Sequence, residues 1–441
     1  MDFFLIFPGI FSNTNIANEI IMSKGRLLVG LDIGSANIRV VIAEEASEEA
    51  LLRVIGVGET QSMGVRRGAV VDTEAVAKAC HIALEHAERM SGHASERVFV
   101  SLSGADILCQ EANGVVAVSR PDGEVGEDDV VRCLGEVEAR LSLPLNREVI
   151  HALPKSYRLD DQKDIRDPVG MRGVRLEATA LIVTGSTAQQ KNIGRALEQA
   201  GTQAESSIVE PLAASEAVLH QKQKELGVVL INIGGSTTSI AVYEDGNLLH
   251  LAVLPVGSGH ITNDIAIGLR TSIDVAEAVK LQYGTADPRE VGKREEIDLA
   301  LFDVHEEGMV SRYHIAEIIE ARMEEIFTFT NTELKAIGRD GLLPGGAVLT
   351  GGGALLPGAA DLAKRILRLP AQIGYPKPLG GILDQVDSPQ FATVVGLVLL
   401  AEESILGKRG KMRGWTTERS VPDWVRQTFE KTQKFAKRFL P

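Results

Sequence analysis

The chain has 441 residues, of which 44% are hydrophobic and 24% charged, the balance of a soluble globular protein large enough for two domains with separate cores. Its formal net charge of −14 argues against nucleic acid as a partner. The three cysteines, Cys80, Cys109 and Cys133, lack metal-site spacing and read as reduced thiols of a cytosolic protein.

Residues 1–24 read as an extension that is disordered or untranslated in the cell, with Met22 as the start. Phe3–Phe11 is apolar, but Asp2 stands where a signal peptide carries positive charge, Pro8-Gly9 interrupts the run, and no small-residue cleavage site follows clearly. Val29–Ala43 then gives an apolar run, Asp32, Gly34, small polar residues and a second apolar run, the pattern of a strand, a tight turn and an antiparallel strand. Leu51–Glu59 is a further strand. Asp72-Thr73-Glu74 caps a helix running to about Met90, with Val76, Ala79, Cys80, Ala83, Leu84 and Ala87 at helical spacing. Val98–Leu102 is the next strand. Residues 105–183 carry their own strand and helix pattern, including a helix near Glu127–Leu141, and are long enough for a small subdomain rather than a loop.

A helix over Ala188–Ala200 leads to Val209-Glu210-Pro211-Leu212-Ala213-Ala214-Ser215. Val229–Tyr243 repeats the first hairpin about 200 residues on, with Asn232 in place of Asp32 and Gly234, Gly235, Ser236 and Thr237 in the turn. Ile261–Leu269 and Ile273–Gln282 read as helices, 285–310 as polar and irregular, and Ser311–Ile337 as a long amphipathic helix. Val348–Thr350 runs into Gly351-Gly352-Gly353 and a helix over Ala359–Leu367. The helix from Pro389 contains Val394–Ala401, far short of the ~20 apolar residues that span a bilayer. Residues 407–422 form a flexible basic linker. Over 423–441, Trp424, Val425, Thr428, Phe429, Thr432, Phe435, Ala436, Phe439 and Leu440 fall within an arc of about 160° of a helix, opposite Arg426, Glu430, Lys431, Lys434, Lys437 and Arg438. A helix docked on the body is one reading. The linker, and a basic polar face on an acidic chain, favour an in-plane membrane anchor with Trp424, Val425, Phe429, Phe435, Phe439 and Leu440 inserted.

Alternating strands and helices make the class α/β. Backbone N–H groups in a glycine turn can cradle an anion, and two such turns facing each other would grip a polyphosphate from both sides. One such turn alone is more often a plain β-hairpin. Two in register, with three positions free of side chains at Gly351–Gly353 for a flat ligand, point to a nucleotide. In this order the motifs resemble the actin-like ATPase superfamily, with its two phosphate loops and adenosine loop. Within it, Val149-Ile150-His151-Ala152-Leu153-Pro154, Asp167-Pro168-Val169-Gly170-Met171 and Gly173-Val174-Arg175-Leu176-Glu177-Ala178 resemble the extra subdomain of the FtsA family, the bacterial actin homologues of cell division. The likeness covers roughly Gly25 to Leu406, and the terminal helix adds to it.

The resemblance implies an actin-like two-domain fold: subdomain 1A over 25–104 and 184–225, an inserted subdomain 1C over 105–183, 2A over 226–258 and 339–406, and 2B over 259–338. It implies ATP and Mg²⁺ as cofactors. Asp32 would hold a water on Mg²⁺, Gly34 and Ser35 would meet a phosphate, and Glu210 would orient the attacking water. Asn37 stands where many relatives have Lys, which weakens phosphate binding. Asn232 replaces the usual Asp and Ser239 an acidic residue. An amide cannot act as a base, so the expectation is ATP binding with weak or no hydrolysis. Glu277 and Lys280 match the ribose-contacting pair, and a plain i,i+3 salt bridge is the other reading. By the same resemblance the protein would polymerise on the cytoplasmic face of the membrane at the septum, tether FtsZ filaments and recruit later division proteins. The FtsZ tail would meet subdomain 2B at Arg312 and Arg322, unless Arg322 simply bridges to Glu325 along its own helix. A pilus-assembly actin homologue is the nearest alternative. A sugar kinase would need a catalytic Asp and a substrate pocket, and a chaperone ATPase a β-rich domain where 35 residues follow Leu406.

Overall fold

The computed structural model describes residues 26–45, 52–306, 308–382 and 384–406. The extension at 1–24, the linker at 407–422 and the amphipathic segment at 423–441 lie outside the described residues.

Two sheets repeat one plan. In the first, Leu27–Ile33, Asn37–Glu45 and Leu52–Gln61 form an antiparallel meander. Arg97–Leu102 lies parallel beside Leu27–Ile33, and Gln203–Val209 lies parallel beyond it. In the second, Val228–Ile233, Thr238–Glu244 and Asn247–Leu254 form the meander, with Ala347–Thr350 and then Ala371–Ile373 parallel on the other side. The centre of each plan is a strand buried on both faces, so it reads as a continuous apolar run rather than an alternating one. All six residues of Val228–Ile233 are buried. Register carries the repeat to single residues: Asp32 pairs with Arg39, and Asn232 pairs with Ser239.

Helices cover these sheets where the caps place them. Asp72 Oδ1 accepts from the Glu74 and Ala75 N–H groups at 3.1 and 3.0 Å, and the helix Thr73–Ser91 ends at Gly92 in the left-handed region. Satisfying these otherwise orphaned end groups is what fixes the boundaries. The helix Glu210–Val218 touches strands of both large sheets and crosses the helix Ala392–Leu406. The crossing is close because Gly396 has no side chain: a Cβ there would lie 1.7 Å from the Ala213 carbonyl oxygen.

Residues 105–183 build a third unit. The strands Leu108–Ala117, Arg175–Ser186, Arg147–Leu159 and Gln162–Ile165 form an antiparallel sheet in that order. The helix Glu127–Ala139 packs on it over a separate core that includes Cys133, Val137, Tyr157, Leu176 and Ile182. His151, wholly buried on this sheet, accepts at Nε2 from the Val209 N–H at 3.1 Å. Burial pushes its pKa down to about 3, so the ring is neutral.

Three stretches differ from the sequence expectation. Asn247–Leu254 forms a strand that its mixed polarity concealed. The stretch 285–310 is not wholly irregular: Glu296–Asp298 pairs with Met309–Ser311, and Asp287 and Asp298 cap short 3₁₀ turns. Pro389 opens a 3₁₀ turn, and the α-helix begins only at Ala392.

Candidate functional site

The two hairpin turns face each other. Ser236 Oγ lies 2.6 Å from Ser35 Oγ, and a Cβ on Gly235 would meet the Ala36 methyl at 3.0 Å. Behind this contact is a cleft of about 540 Å³, within the usual range for a small-molecule site. Asp32, Gly34, Ser35 and Asn37 line it from the first hairpin, and Asn232, Gly234, Gly235 and Thr237 from the second. Glu210, Glu277, Lys280 and Gly351–Gly353 complete it, so nearly all the sequence-proposed nucleotide residues share one cavity. Ser236 is not among the lining residues, although its hydroxyl bonds Ser35, which is. Arg312 and Arg322 lie elsewhere, on the helix Arg312–Ala336.

At the cleft floor, Asp32 is buried. Ser101 Oγ donates to its Oδ1 at 2.6 Å and accepts the Ile33 N–H at 3.1 Å. Burial raises its pKa, against the Ser101 hydrogen bond and the Arg39 charge, which lower it. Glu210 opens its helix at the end of the strand Gln203–Val209. It accepts from Asn232 Nδ2 on Oε1 and from Ser239 Oγ on Oε2, and Asn232 Nδ2 also reaches Thr393 Oγ1 at 3.3 Å. Burial pushes the Glu210 pKa up to about 7; the Asp32 charge adds to this and the two donors oppose it. Asn232 and Ser239, where the resemblance led to the expectation of acidic residues, are thus the two donors that hold Glu210.

Along one wall, Lys280 Nζ donates to Glu277 Oε2 at 2.6 Å and to Thr262 Oγ1 at 2.8 Å, and Thr262 Oγ1 also bonds Glu277. The i,i+3 salt bridge is formed, and both of its residues line the cleft. Opposite, Gly353 fits only because it lacks a side chain: a Cβ would lie 2.3 Å from Ile233 Cγ2. At Gly352 the space is open, with Gln390 Cγ the nearest atom at 3.9 Å. Leu281, Leu355, Leu356 and Pro357 give this end an apolar lining.

These features fit a nucleotide with Mg²⁺. The cavity has the volume, an apolar lining beside the side-chain-free Gly351–Gly353, and two glycine turns. Mg²⁺ generally takes one or two carboxylates together with phosphates and its own waters, and Asp32 and Glu210 are carboxylates of this cleft. Sequence reasoning missed Ser101, Thr262 and Arg39 at the site. Ser101 and Thr262 stand in no local motif. Arg39 was accessible through the repeat, because it occupies the register position of Ser239.

Comparison with known proteins places the fold. A chain of the PilM–PilN type IV pilus biogenesis complex superposes with a TM-score of 0.62 at 18% identity, covering 85% of this chain and 98% of that one. The family model described as "SHS2 domain inserted in FTSA" matches residues 104–184. This is the actin-like class of two-domain proteins, carrying an SHS2-type insertion. The model "Cell division protein FtsA" matches residues 229–396. The FtsA of Pseudomonas aeruginosa is 36% identical over 86% of this chain and 90% of its own length. That of Bacillus subtilis is 38% identical over 86% and 84%, and that of Escherichia coli K12 33% identical over 91% and 96%. The chain belongs to the FtsA family of cell division proteins.

Proposed function

We propose that this chain binds ATP with Mg²⁺, polymerises on the cytoplasmic face of the membrane at the septum, tethers FtsZ filaments there and recruits later division proteins. The observation that carries the nucleotide reading is the convergence of both hairpin turns and Gly351–Gly353 on one cleft. Bound ATP would supply a polyphosphate whose charge the backbone N–H groups of the two turns can meet. Asp32 would hold a metal-bound water. Glu277 and Lys280 would contact the ribose, and the side-chain-free surface at Gly351–Gly353 would take the adenine. Turnover is expected to be slow. Glu210 already accepts two hydrogen bonds, from Asn232 and Ser239, which draws down its capacity to orient a water.

The membrane reading rests on the segment 423–441. It is tested by co-sedimentation with anionic vesicles of the full chain and of a chain ending before Trp424, with and without ATP and FtsZ. The full chain is expected to sediment and the shortened one to stay in solution, because each buried aromatic contributes roughly 1.5–3 kcal/mol. Undiminished vesicle binding by the shortened chain would sink the reading.

For the FtsZ tail, taken as an acidic and apolar peptide, we propose contact at Arg312 and Arg322. Both already have partners within the chain. Arg312 donates to Glu295 at 2.7 Å and to the Tyr283 carbonyl at 3.1 Å. Arg322 grips Asp264 with two donors, at 2.6 and 3.0 Å, and also reaches Glu325. A peptide carboxylate would have to exchange with these. Arg312→Glu is expected to weaken a fluorescent FtsZ tail peptide at low salt, with the loss shrinking as salt rises. Wild-type affinity in both Arg312→Glu and Arg322→Glu would move the surface elsewhere.

A further inference from the structure

The helix Ser258–Leu269 begins on the turn of the second hairpin. The Ser258 N–H donates to the Gly234 carbonyl at 2.8 Å, and the Gly259 N–H to the Gly235 carbonyl at 2.7 Å. The approach is this close because two positions have no side chain. A Cβ on Gly257 would lie 2.5 Å from the Gly234 oxygen, and one on Gly259 2.8 Å from the Gly235 oxygen. Thr262 follows Ser258 by one helical turn, so the two share a face. Ser258 lines the cleft; Thr262 is buried and does not.

The helix Ile273–Tyr283 packs beside this one and carries Glu277 and Lys280. Three polar atoms close a triangle between the two helices. Thr262 Oγ1 donates to Glu277 Oε2 and accepts from Lys280 Nζ at 2.8 Å, while Nζ donates to the same Oε2 at 2.6 Å. Of the apolar and polar side chains of this shape, only one with a hydroxyl can donate and accept at once. The Ser258 carbonyl also lies near the hydroxyl, but at 3.5 Å it is the poorer acceptor.

The triangle treats its two charged members unequally. The Lys280 side chain is 6% exposed, with its ammonium donating to both partners, whereas that of Glu277 is 43% exposed. Glu277 lines the cleft, and its second oxygen, Oε1, bonds nothing among the described residues. Two donors on Oε2 restrict rotation of the carboxylate and leave Oε1 as the acceptor for a ligand.

We propose that Thr262 is a positioning residue for sugar recognition. It fixes Glu277 so that Oε1 accepts from a ribose hydroxyl, and its helix sets that carboxylate at a constant distance from the turn at Gly234 and Gly235. Lys280 shares the holding role. The ligand selected is a nucleotide with both ribose hydroxyls, because an analogue that lacks the one Glu277 meets leaves a charged acceptor without its donor. The proposal rests on the nucleotide reading above and deepens it.

The test measures affinity of the full chain for ATP, 2′-deoxy-ATP and 3′-deoxy-ATP in wild type, Thr262→Val and Thr262→Ser. Val keeps the shape of Thr and removes the hydroxyl; Ser keeps the hydroxyl. Wild type is expected to bind at least one deoxy analogue roughly tenfold or more weakly than ATP, the size of one hydrogen bond to a charged group. In Thr262→Val that ratio should fall towards one, chiefly through weaker ATP binding, and in Thr262→Ser it should stay near the wild-type value. A merely structural role would lower all three affinities together and leave the ratio unchanged, and partial unfolding of a variant cancels in the same way. Wild type that binds ATP and both analogues alike overturns the proposal while leaving nucleotide binding intact. So does a wild-type ratio in Thr262→Val, or a Ser variant no closer to wild type than Val. Wild type that binds none of the three brings down the nucleotide reading, and this proposal with it.

Discussion

At Glu210 a carboxylate from one domain meets an amide and a hydroxyl from the other, and the three residue types make sense only together. Aspartates at 232 and 239 would set two further negative charges against a buried carboxylate. Asn232→Asp is therefore expected to lower the melting temperature, and to do so more at pH 8 than at pH 6, where the acids can share protons. An equal loss at both pH values would show that charge is not the cause. Glu210 itself has its native pKa raised, so the folded chain holds its proton more tightly than the unfolded one. Its contribution to stability is complete below pH 4.5 and is lost as pH rises through about 7. Wild type should lose stability across that window relative to Glu210→Gln, a difference that thermal melts at several pH values would read directly. Asp32, Ser35 and Glu210 were legible in the sequence because each belongs to a contiguous motif. Ser101 was not, since it lies 69 residues from the Asp32 whose carboxylate it holds.

Among the elements, two glycines with different surroundings separate folding from binding. At Gly396 an added methyl would strike the Ala213 backbone, which cannot swing away as a side chain can. Gly396→Ala should cost about 1–3 kcal/mol and show as a lowered melting temperature. Gly352 faces open cleft, so Gly352→Leu should melt like wild type yet lose about tenfold or more in ATP affinity. A Gly352→Leu protein that binds ATP normally would remove the adenine from this loop. Elements with periodic apolar faces, such as Ala359–Leu367 and the Asp72-capped Thr73–Ser91, were readable from the sequence to within a residue or two. Asn247–Leu254 was not, because half-buried polar positions such as His250 blur the alternation. His250 is there for a tertiary reason, its contact with Glu333 at 2.8 Å.

For the whole molecule, the repeat of one sheet plan was visible in the two hairpin motifs, the actin-like class in these with the triple glycine, and the family in the motifs of the inserted segment between 149 and 178. What the sequence did not show is how the units join: the Ser35–Ser236 contact, the bond from His151 in the inserted unit to the backbone beside Glu210, and the shared packing of Glu210–Val218 with Ala392–Leu406. Each links residues far apart in the chain, and no local pattern records such a pairing.

That last packing has a consequence for how the protein comes into being. Gly30, on the first strand described, lies against the Val394 carbonyl oxygen, where a Cβ would stand 2.8 Å away, and Val394, Val395, Leu397 and Val398 belong to the same core as Leu28 and Leu31. The first domain is thus closed by Ala392–Leu406, the last helix among the described residues. During synthesis its apolar face stays uncovered while the inserted unit and the entire second domain are translated, and a chain in that condition is prone to aggregate. The nascent protein needs protection in proportion to the time the ribosome takes to reach Leu406, and a chain released before Ala392 would lack the means to complete even the domain it made first.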